Sequence, residues 1–379
     1  RGRGALERWL AARRTGEGAG SLDESLPLGL LGVTSLQFAQ LAAELGVPVH
    51  AVAAAESLHD LQVLSQSDSC GVTMARADYR RFSEDQQSRC SGVATPFTAW
   101  RKVLVTGATG HIGRHFAELL EKEGLDVVRA SRSTGFDVSK PRFGLDDASY
   151  SQLLADCDAV VHCAAIVNWS SSYSALRRSN VEGVVHVARF CRRVGGSPDK
   201  ALLVVGSGAD FPEGPASLEW LEECCSPYMV SKIAAEALIQ RLCPHVVVVR
   251  PGLVVWQSET GRHNTDDAVS RLAKAVVRDS LVWHLEDTWD DVVDGMNVDT
   301  FCQAALEVFK KGGPVVYNMR GTFQLSELIS ACEVTPTCVA YEKWYSTMAQ
   351  HCKDDAAHPL AALMPHIDST MPPFTVASR

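Results

Sequence analysis

The sequence predicts an α/β protein built on a doubly wound parallel sheet, with a smaller C-terminal lobe and an N-terminal helical segment. The apolar run 103–105 is typical of a strand buried on both faces of a parallel sheet. Three glycines, Gly107, Gly110 and Gly113, follow it directly and lead into a helical pattern. Further apolar runs alternate with helical patterns at 126–132, 158–165 and 201–207. This alternation predicts a Rossmann-type sheet.

The order strand, glycine turn, helix is the local context of a dinucleotide site. The first glycine permits a tight turn, the second lets the backbone approach a pyrophosphate, and the third lets helix and strand pack closely. The phosphates would lie at the helix N-terminus, where free N–H groups favour negative charge. An ordinary glycine-rich turn is the alternative. The residues expected to contact a cofactor here are Gly107, Thr109, Gly110, His111, Ile112 and Gly113.

The end of the second predicted strand indicates which nicotinamide cofactor is preferred. An acidic residue at this point would hold the ribose 2′-hydroxyl of NAD. The sequence offers Arg129, Ser131 and Arg132 instead, with no acid before Asp137. Guanidinium groups pair well with a 2′-phosphate because of their fixed donor geometry. The pattern therefore favours NADPH over NADH, and two solvated arginines are the alternative.

Composition and charge exclude several classes of function. The 379 residues are 46% hydrophobic and 21% charged, with a formal net charge of −9, which argues against a general affinity for nucleic acid. No apolar run reaches the ~18 residues of a membrane span, and the N-terminus lacks a signal-peptide core. Twelve cysteines without a CxxC pair predict reduced thiols in a cytoplasmic protein, not a zinc site or a disulfide framework. His351, His358 and His366 share no helical face, so no metal is predicted there either.

Two side chains in the stretch PYMVSKIAAEALIQRL suggest a catalytic pair. Tyr228 and Lys232 are four residues apart on a helical pattern, so they lie on one face. Ser207 follows a predicted strand and adds a hydroxyl. Carbonyl reduction by hydride needs a proton donor at the oxygen, and a nearby ammonium would lower the pKa of a phenol toward neutrality. A surface Tyr and Lys on an amphipathic helix is the alternative.

Together these motifs resemble the short-chain dehydrogenase/reductase superfamily in its extended form. More narrowly, the chain resembles the thioester reductase domains that end polyketide and non-ribosomal peptide assembly lines. The stretches that carry this resemblance are 103–110, 137–145, 162–169, 180–183, 231–236 and 250–252. The resemblance implies further cofactor contacts from Asp137, Val138, Ala164, Ala165, Asn180, Lys232, Pro251 and Gly252. The two alanines would leave room for a flat cofactor ring at the end of a strand.

The stretch 22–36, LDESLPLGLLGVTSL, carries a second pattern and precedes a strongly amphipathic helix. Ser35 stands where that helix begins, a position in which serine also serves as an N-cap. The stretch resembles the acyl and peptidyl carrier proteins of polyketide and non-ribosomal peptide synthases, with Thr34 in place of their usual Asp. The resemblance implies that Ser35 carries a 4′-phosphopantetheine arm.

Four segments follow from these patterns. Residues 1–66 are predicted to be part of a carrier protein, and 67–98 have the polar composition of a linker, with one short helix near 77–82. Residues 99–250 form the predicted NADP-binding core. Residues 251–379 form the predicted substrate lobe, interleaved with that core.

The family resemblance implies an NADPH-dependent reductive release. A carrier-bound acyl thioester would be reduced to an aldehyde, or by a second hydride transfer to an alcohol, with Ser207, Tyr228 and Lys232 as catalytic residues. The chain begins with Arg1, which suggests a piece of something larger, and the expected partners are upstream modules of a synthase. Two alternatives stay open: a reductase or epimerase acting on a free molecule such as a sugar nucleotide, and a non-catalytic NADP-binding sensor.

Overall fold

A computed structural model describes residues 71–367, apart from 169–170, 194–196, 209–210, 225, 266, 285–291, 362 and 365–366. The carrier-like segment 1–66, including Ser35, lies outside the described residues, as does His366. The arrangement predicted for that segment and its modification therefore stay predictions.

Six parallel strands form the central sheet, in the spatial order β2-β1-β3-β4-β5-β9. Their bounds are β1 Lys102–Thr106, β2 Asp126–Ala130, β3 Ala159–His162, β4 Ala201–Val205, β5 Val247–Pro251 and β9 Val315–Met319. Leu104 pairs with Val128 on one side and with Val160 on the other, so the first apolar run lies inside the sheet. The chain order reverses between β1 and β3, where ligands bind in sheets of this kind. The predicted Rossmann-type α/β architecture is confirmed.

Helices cover both faces of this sheet. Their bounds are α1 Val72–Ser83, α2 His111–Lys122, α3 Asp147–Asp156, α4 Tyr173–Arg177, α5 Gly183–Cys191, α6 Pro227–Leu242, α7 Ala268–Asp279, α8 Val298–Lys311, α9 Leu325–Ala331 and α10 Tyr341–Asp354. On one face, α2 and α8 meet through the rings of Phe116 and Phe301. On the other, α3, α5 and α6 enclose an apolar core around Phe143 and Phe190. Among the described helices, none is long and apolar enough to cross a membrane.

A smaller lobe is built from the residues after β5. One small sheet has the order β10-β8-β6, from Thr322–Gln324, Val292–Asn297 and Leu253–Val255, and a second pairs β11 Thr337–Ala340 with β7 Leu281–His284. The lobe has its own core, in which Trp283 packs edge-on against Trp344, with ring centroids 4.7 Å apart. Between these parts the chain returns to the central sheet through α8 and β9. The lobe and the sheet are therefore interleaved along the chain.

The described part of the predicted linker is packed onto the core. Helix α1 is longer than the predicted short helix, and it lies against α6 with Ala75 and Asp78 buried. The Asp78 carboxylate accepts hydrogen bonds from the Tyr173 hydroxyl at 3.0 Å and from the Arg177 guanidinium at 2.6 and 2.7 Å. The linker interpretation is thus wrong for these residues, because their polar composition includes a carboxylate that is paired inside the protein.

Candidate active site

The glycine turn has the geometry of a tight strand-to-helix connection. Gly107 has a φ of +69°, and a Cβ there would lie 2.8 Å from the backbone nitrogen of Ala164. A Cβ on Gly113 would lie only 2.3 Å from the Gly107 carbonyl oxygen. Gly110 precedes α2 in an extended conformation, and Thr109 beside it is exposed. The first and third glycines thus have the turn and packing roles expected of them, and the phosphate contacts stay predictions.

The first residue of α2 connects this turn to the lobe. His111 Nε2 lies 2.7 Å from the Val255 carbonyl oxygen, and because a carbonyl only accepts, the ring donates from Nε2. Burial lowers the pKa of His111, so the ring is neutral near pH 7. The next turn of the helix makes a second connection, since Arg262 of the lobe bonds His115 Nε2 and the Glu118 carboxylate. Ile112, the next residue of α2, packs against the apolar core between α2 and α8.

The two arginines after β2 differ in their surroundings. Arg129 forms a bidentate pair with Glu121, at 2.9 Å from Nε and 2.8 Å from the terminal nitrogen. Arg132 is exposed on the following turn, Arg132–Thr134. A 2′-phosphate would have to compete with a carboxylate for Arg129, so Arg132 is the stronger candidate.

The segment Asp137–Val138 is firmly held. The Asp137 carboxylate accepts hydrogen bonds from the Ser139 hydroxyl at 2.7 Å and backbone N–H at 3.0 Å, and these bonds lower its pKa. Val138 is buried, and its carbonyl oxygen lies 2.8 Å from His186 Nδ1. The side chains of this segment are thus fixed by their own neighbours, and contact with a cofactor stays a prediction.

Asn180 holds the loop that follows β3. A π-helical turn at 178–182 lies between α4 and α5 and directs the Asn180 side chain inward. Its Oδ1 accepts from the Ile166 N–H at 2.8 Å, and its Nδ2 donates to the Ile166 carbonyl at 3.1 Å and to Ser231 Oγ at 3.0 Å. Ala164 and Ala165 precede this point and are partly buried. Asn180 therefore positions the loop, and its contact with a cofactor stays a prediction.

Ser207 and Tyr228 meet at the carboxyl end of β4. Helix α6 begins there because Ser226 Oγ accepts the Met229 N–H at 3.2 Å and Pro227 occupies the first turn. Tyr228, only 7% exposed, is thereby placed in the first helical turn, where its phenol is hydrogen-bonded to Ser207. The structure thus brings together two of the three predicted catalytic side chains.

Lys232 lies one turn further along α6, but its ammonium points toward the sheet. Its Nζ donates to the Val205 carbonyl oxygen at 2.8 Å. Burial lowers the pKa of Lys232 to about 8, against the opposing effect of Glu236. Burial also raises the pKa of Tyr228, and the hydrogen bond with Ser207 opposes this rise. The expectation that Lys232 lowers the tyrosine pKa is wrong for this arrangement, because desolvation of the phenol dominates.

A buried ion pair behind the site is absent from the predicted set. Arg250, at the end of β5, is 0% exposed and bonds the carboxylate of Glu236, which is 2% exposed. It also donates to the carbonyl oxygens of Pro212 at 2.8 Å and Gly214 at 2.9 Å. Arg250 therefore anchors the loop that begins at Ser207. A lone arginine at the end of an otherwise apolar strand is the sequence signal that could have revealed it.

The next two residues complete this end of the sheet. Pro251 pairs with Met319 of β9, and the Gly252 N–H donates to the Met319 carbonyl at 3.3 Å. Both lie at the carboxyl edge of the sheet, beside Arg250. Their predicted contact with a cofactor is compatible with this position and stays a prediction.

Comparison with known proteins agrees with this fold. Residues 132–305 match the NAD-binding family model described as male sterility protein. The chain is 24% identical over 342 residues to the large subunit of L-2-aminoadipate reductase from Penicillium chrysogenum, covering 73% of this chain and 24% of that protein. The chain spans less than a third of the length of the curated relatives that it matches.

Two solved structures have similar folds. The terminal R domain from the myxalamid PKS-NRPS pathway superposes with a TM-score of 0.65 at 24% identity, covering 81% of this chain and 89% of that one. A thiolation-reductase di-domain from an archaeal non-ribosomal peptide synthetase has a TM-score of 0.57 at 15% identity, covering 97% and 88%. The chain thus has a Rossmann-type fold like that of these reductase domains, and it is similar in sequence to an NAD-binding family model and to a reductase.

Proposed function

We propose that this protein reduces a carrier-bound acyl thioester with NADPH and so releases the acyl group as an aldehyde, or as an alcohol after a second reduction. The observation that carries the proposal is the buried Tyr228 phenol, hydrogen-bonded to Ser207 beside Lys232, at the carboxyl edge of the sheet. A proton donor paired with a second hydroxyl is the arrangement that carbonyl reduction requires.

The glycine turn fits a dinucleotide. At Gly110 a Cβ would lie 3.2 Å from the Gly107 carbonyl oxygen, so a residue without a side chain suits this point before the N-terminus of α2. The free N–H groups of that terminus favour the phosphates, and exposed Arg132 favours the 2′-phosphate that distinguishes NADPH. When bound, NADPH would supply the hydride.

The raised pKa of Tyr228 keeps its phenol protonated at neutral pH, so that it can donate to the substrate oxygen as negative charge develops there. Ser207 provides a second hydrogen bond to that oxygen. In the resulting hemithioacetal, the oxygen returns its proton to Tyr228, the carbon–sulfur bond breaks, and the thiolate takes a proton from solvent. The products are an aldehyde and a free pantetheine thiol. Lys232 positions the end of β4 through Val205 and holds positive charge beside the site.

The substrate would arrive on a carrier. Relatives of this chain include non-ribosomal peptide synthetases. A thiolation-reductase di-domain is among the similar solved structures, and the carrier-like pattern of 22–36 supports a carrier segment before the reductase. We propose that Ser35 bears the 4′-phosphopantetheine arm and that upstream modules of a synthase load it.

The test is product analysis by mass spectrometry after mixing the protein with NADPH and a panel of acyl-pantetheine thioesters. We expect aldehyde or alcohol with matching NADPH oxidation. Tyr228→Phe should remove most of this turnover and leave NADPH binding unchanged, whereas Tyr345→Phe, in the lobe, should retain it. Wild-type turnover by Tyr228→Phe would overturn the mechanism. Turnover of a sugar nucleotide in place of thioesters, or NADPH binding without oxidation, would favour one of the two alternative functions.

A further inference from the structure

We propose that Cys90, Asp199 and His245 bind a structural zinc ion at the edge of the central sheet opposite the candidate active site. One ligand atom from each residue lies within 4.8 Å of the other two, and all three residues are buried. They come from three separate segments: Cys90 lies before β1, Asp199 just before β4, and His245 just before β5. Thiolate, imidazole and carboxylate are the side-chain ligands that zinc takes in proteins.

The histidine ring is arranged as a metal ligand. His245 is 2% exposed, and its Nε2 lies 3.1 Å from the Lys200 carbonyl oxygen. A carbonyl only accepts, so the proton is on Nε2 and the lone pair is on Nδ1. Among the residues that the structure describes, no hydrogen-bond partner reaches this buried Nδ1. A ligating histidine commonly donates its other N–H to a backbone carbonyl, as His245 does.

The carboxylate is held in a comparable way. Asp199, 0% exposed, accepts hydrogen bonds from the Ser91 N–H at 2.5 Å, the Ser91 hydroxyl at 2.6 Å and the Arg193 N–H at 2.8 Å. Such partners fix the orientation of a ligating carboxylate. The sulfur of Cys90 lies next to that of Cys243, at 3.1 Å, which places a second thiol beside the proposed ion.

Charge balance also favours a divalent cation. On binding, the Cys90 thiol would release its proton to solvent and form the zinc–sulfur bond. A thiolate, a carboxylate and a neutral imidazole then neutralise the two positive charges, so the buried site carries no net charge. No oxidation or reduction is involved.

A second group of potential ligands in the lobe does not need a metal. His351 Nδ1 and His358 Nε2 each bond one oxygen of Asp279, at 3.1 and 2.7 Å, and His358 Nδ1 contacts Cys352 Sγ at 3.1 Å. These imidazole and carboxylate groups already satisfy one another. The unsatisfied nitrogen of His245 therefore distinguishes the first cluster.

The zinc ion would fasten the segment before β1 to the starts of β4 and β5. Backbone hydrogen bonds already run along this junction, from the Thr95 N–H to the Asp199 carbonyl at 2.8 Å and from the Asp199 N–H to the Val93 carbonyl at 2.7 Å. Ser207 lies at the other end of β4, so the proposed ion is structural and takes no part in reduction.

The experiment measures zinc in the full chain after reduction, incubation with zinc sulfate and gel filtration. We expect about one ion per chain by elemental analysis and native mass spectrometry, and a thiolate-to-metal absorption band when cobalt replaces zinc. Cys90→Ser and His245→Gln should lose both signals. Cys302→Ser, which removes another buried thiol from α8, should keep them.

Chelation of the wild type should lower its thermal unfolding temperature and leave that of Cys90→Ser unchanged. Equal zinc content in wild type and Cys90→Ser would overturn the proposal. A disulfide between Cys90 and Cys243 in the freshly reduced protein, seen as the loss of two hydrogens in the intact mass, would also overturn it. These readouts are independent of reductase activity, so they stand or fall separately from the proposed function.

Discussion

Replacing Glu236 by glutamine removes the negative charge from the buried ion pair behind the candidate site and keeps the side-chain shape. Arg250 would then remain buried with only neutral acceptors: the new amide oxygen, the carbonyls of Pro212 and Gly214, and the side chain of Asn318. Water cannot solvate the guanidinium in place of the lost carboxylate, because Arg250 is 0% exposed.

The expected loss of stability follows from that burial. Removing one partner of a buried ion pair costs about 3–5 kcal/mol, because it leaves an uncompensated charge in the interior. The glutamine oxygen can still accept one hydrogen bond, which restores about 1 kcal/mol. We therefore expect Glu236→Gln to lower the free energy of unfolding by about 2–4 kcal/mol, a large share of the total for a protein.

Urea unfolding followed by tryptophan fluorescence and by circular dichroism measures this difference. The matched control is Glu118→Gln, which breaks the pair with Arg262 on the surface, where the two side chains are 37% and 40% exposed. Screening by solvent limits that loss to about 0–1 kcal/mol. If Glu236→Gln is no less stable than Glu118→Gln, the reasoning from burial is refuted.

Three further predictions concern the cofactor turn and the catalytic helix. Because the pKa of Lys232 is lowered to about 8, kcat/KM should fall as the pH rises through this value and the ammonium loses its proton. Lys232→Arg should remove this decrease from the pH profile. An unchanged decrease in the variant would mean that another group titrates. Gly113→Ala, whose Cβ would meet the Gly107 carbonyl at 2.3 Å, should cost about 1–3 kcal/mol in thermal or urea unfolding. Gly183→Ala, with its nearest contact at 3.5 Å, should be tolerated, and equal losses would contradict the packing argument. Arg132→Ala should weaken NADPH binding roughly tenfold in a fluorescence titration and leave NADH binding unchanged, and equal effects on both would argue against a 2′-phosphate contact.

Local patterns were enough to predict the sheet and the meeting of two catalytic candidates. Buried parallel strands appear as short apolar runs, and each run from 102 to 205 forms a strand in the structure. The carboxyl ends of parallel strands share one edge of the sheet. Ser207 after a strand and Tyr228 at the start of a helix could therefore be expected on the same side of the molecule.

Features that depend on tertiary burial could not be predicted in this way. The sequence contains Arg250 and Glu236, but only the fold shows that both are dehydrated and paired. The pKa of Tyr228 is raised, not lowered, because burial of the phenol outweighs its hydrogen bond with Ser207. Asp78 looks like one more polar residue in a polar stretch, yet its partners are about 100 residues away in the chain. Sequence spacing carries no information on such partners.

The docking of α1 has a practical consequence for dissecting the gene. A fragment cut at residue 99 would lose the Asp78 carboxylate, which pairs with both Tyr173 and Arg177, and would uncover the side of α6 that α1 covers. The Arg177 guanidinium would keep its pair with Glu182 but lose the buried one, and the newly exposed apolar surface would favour aggregation. Truncated versions intended for expression should therefore retain everything from Val72 onward.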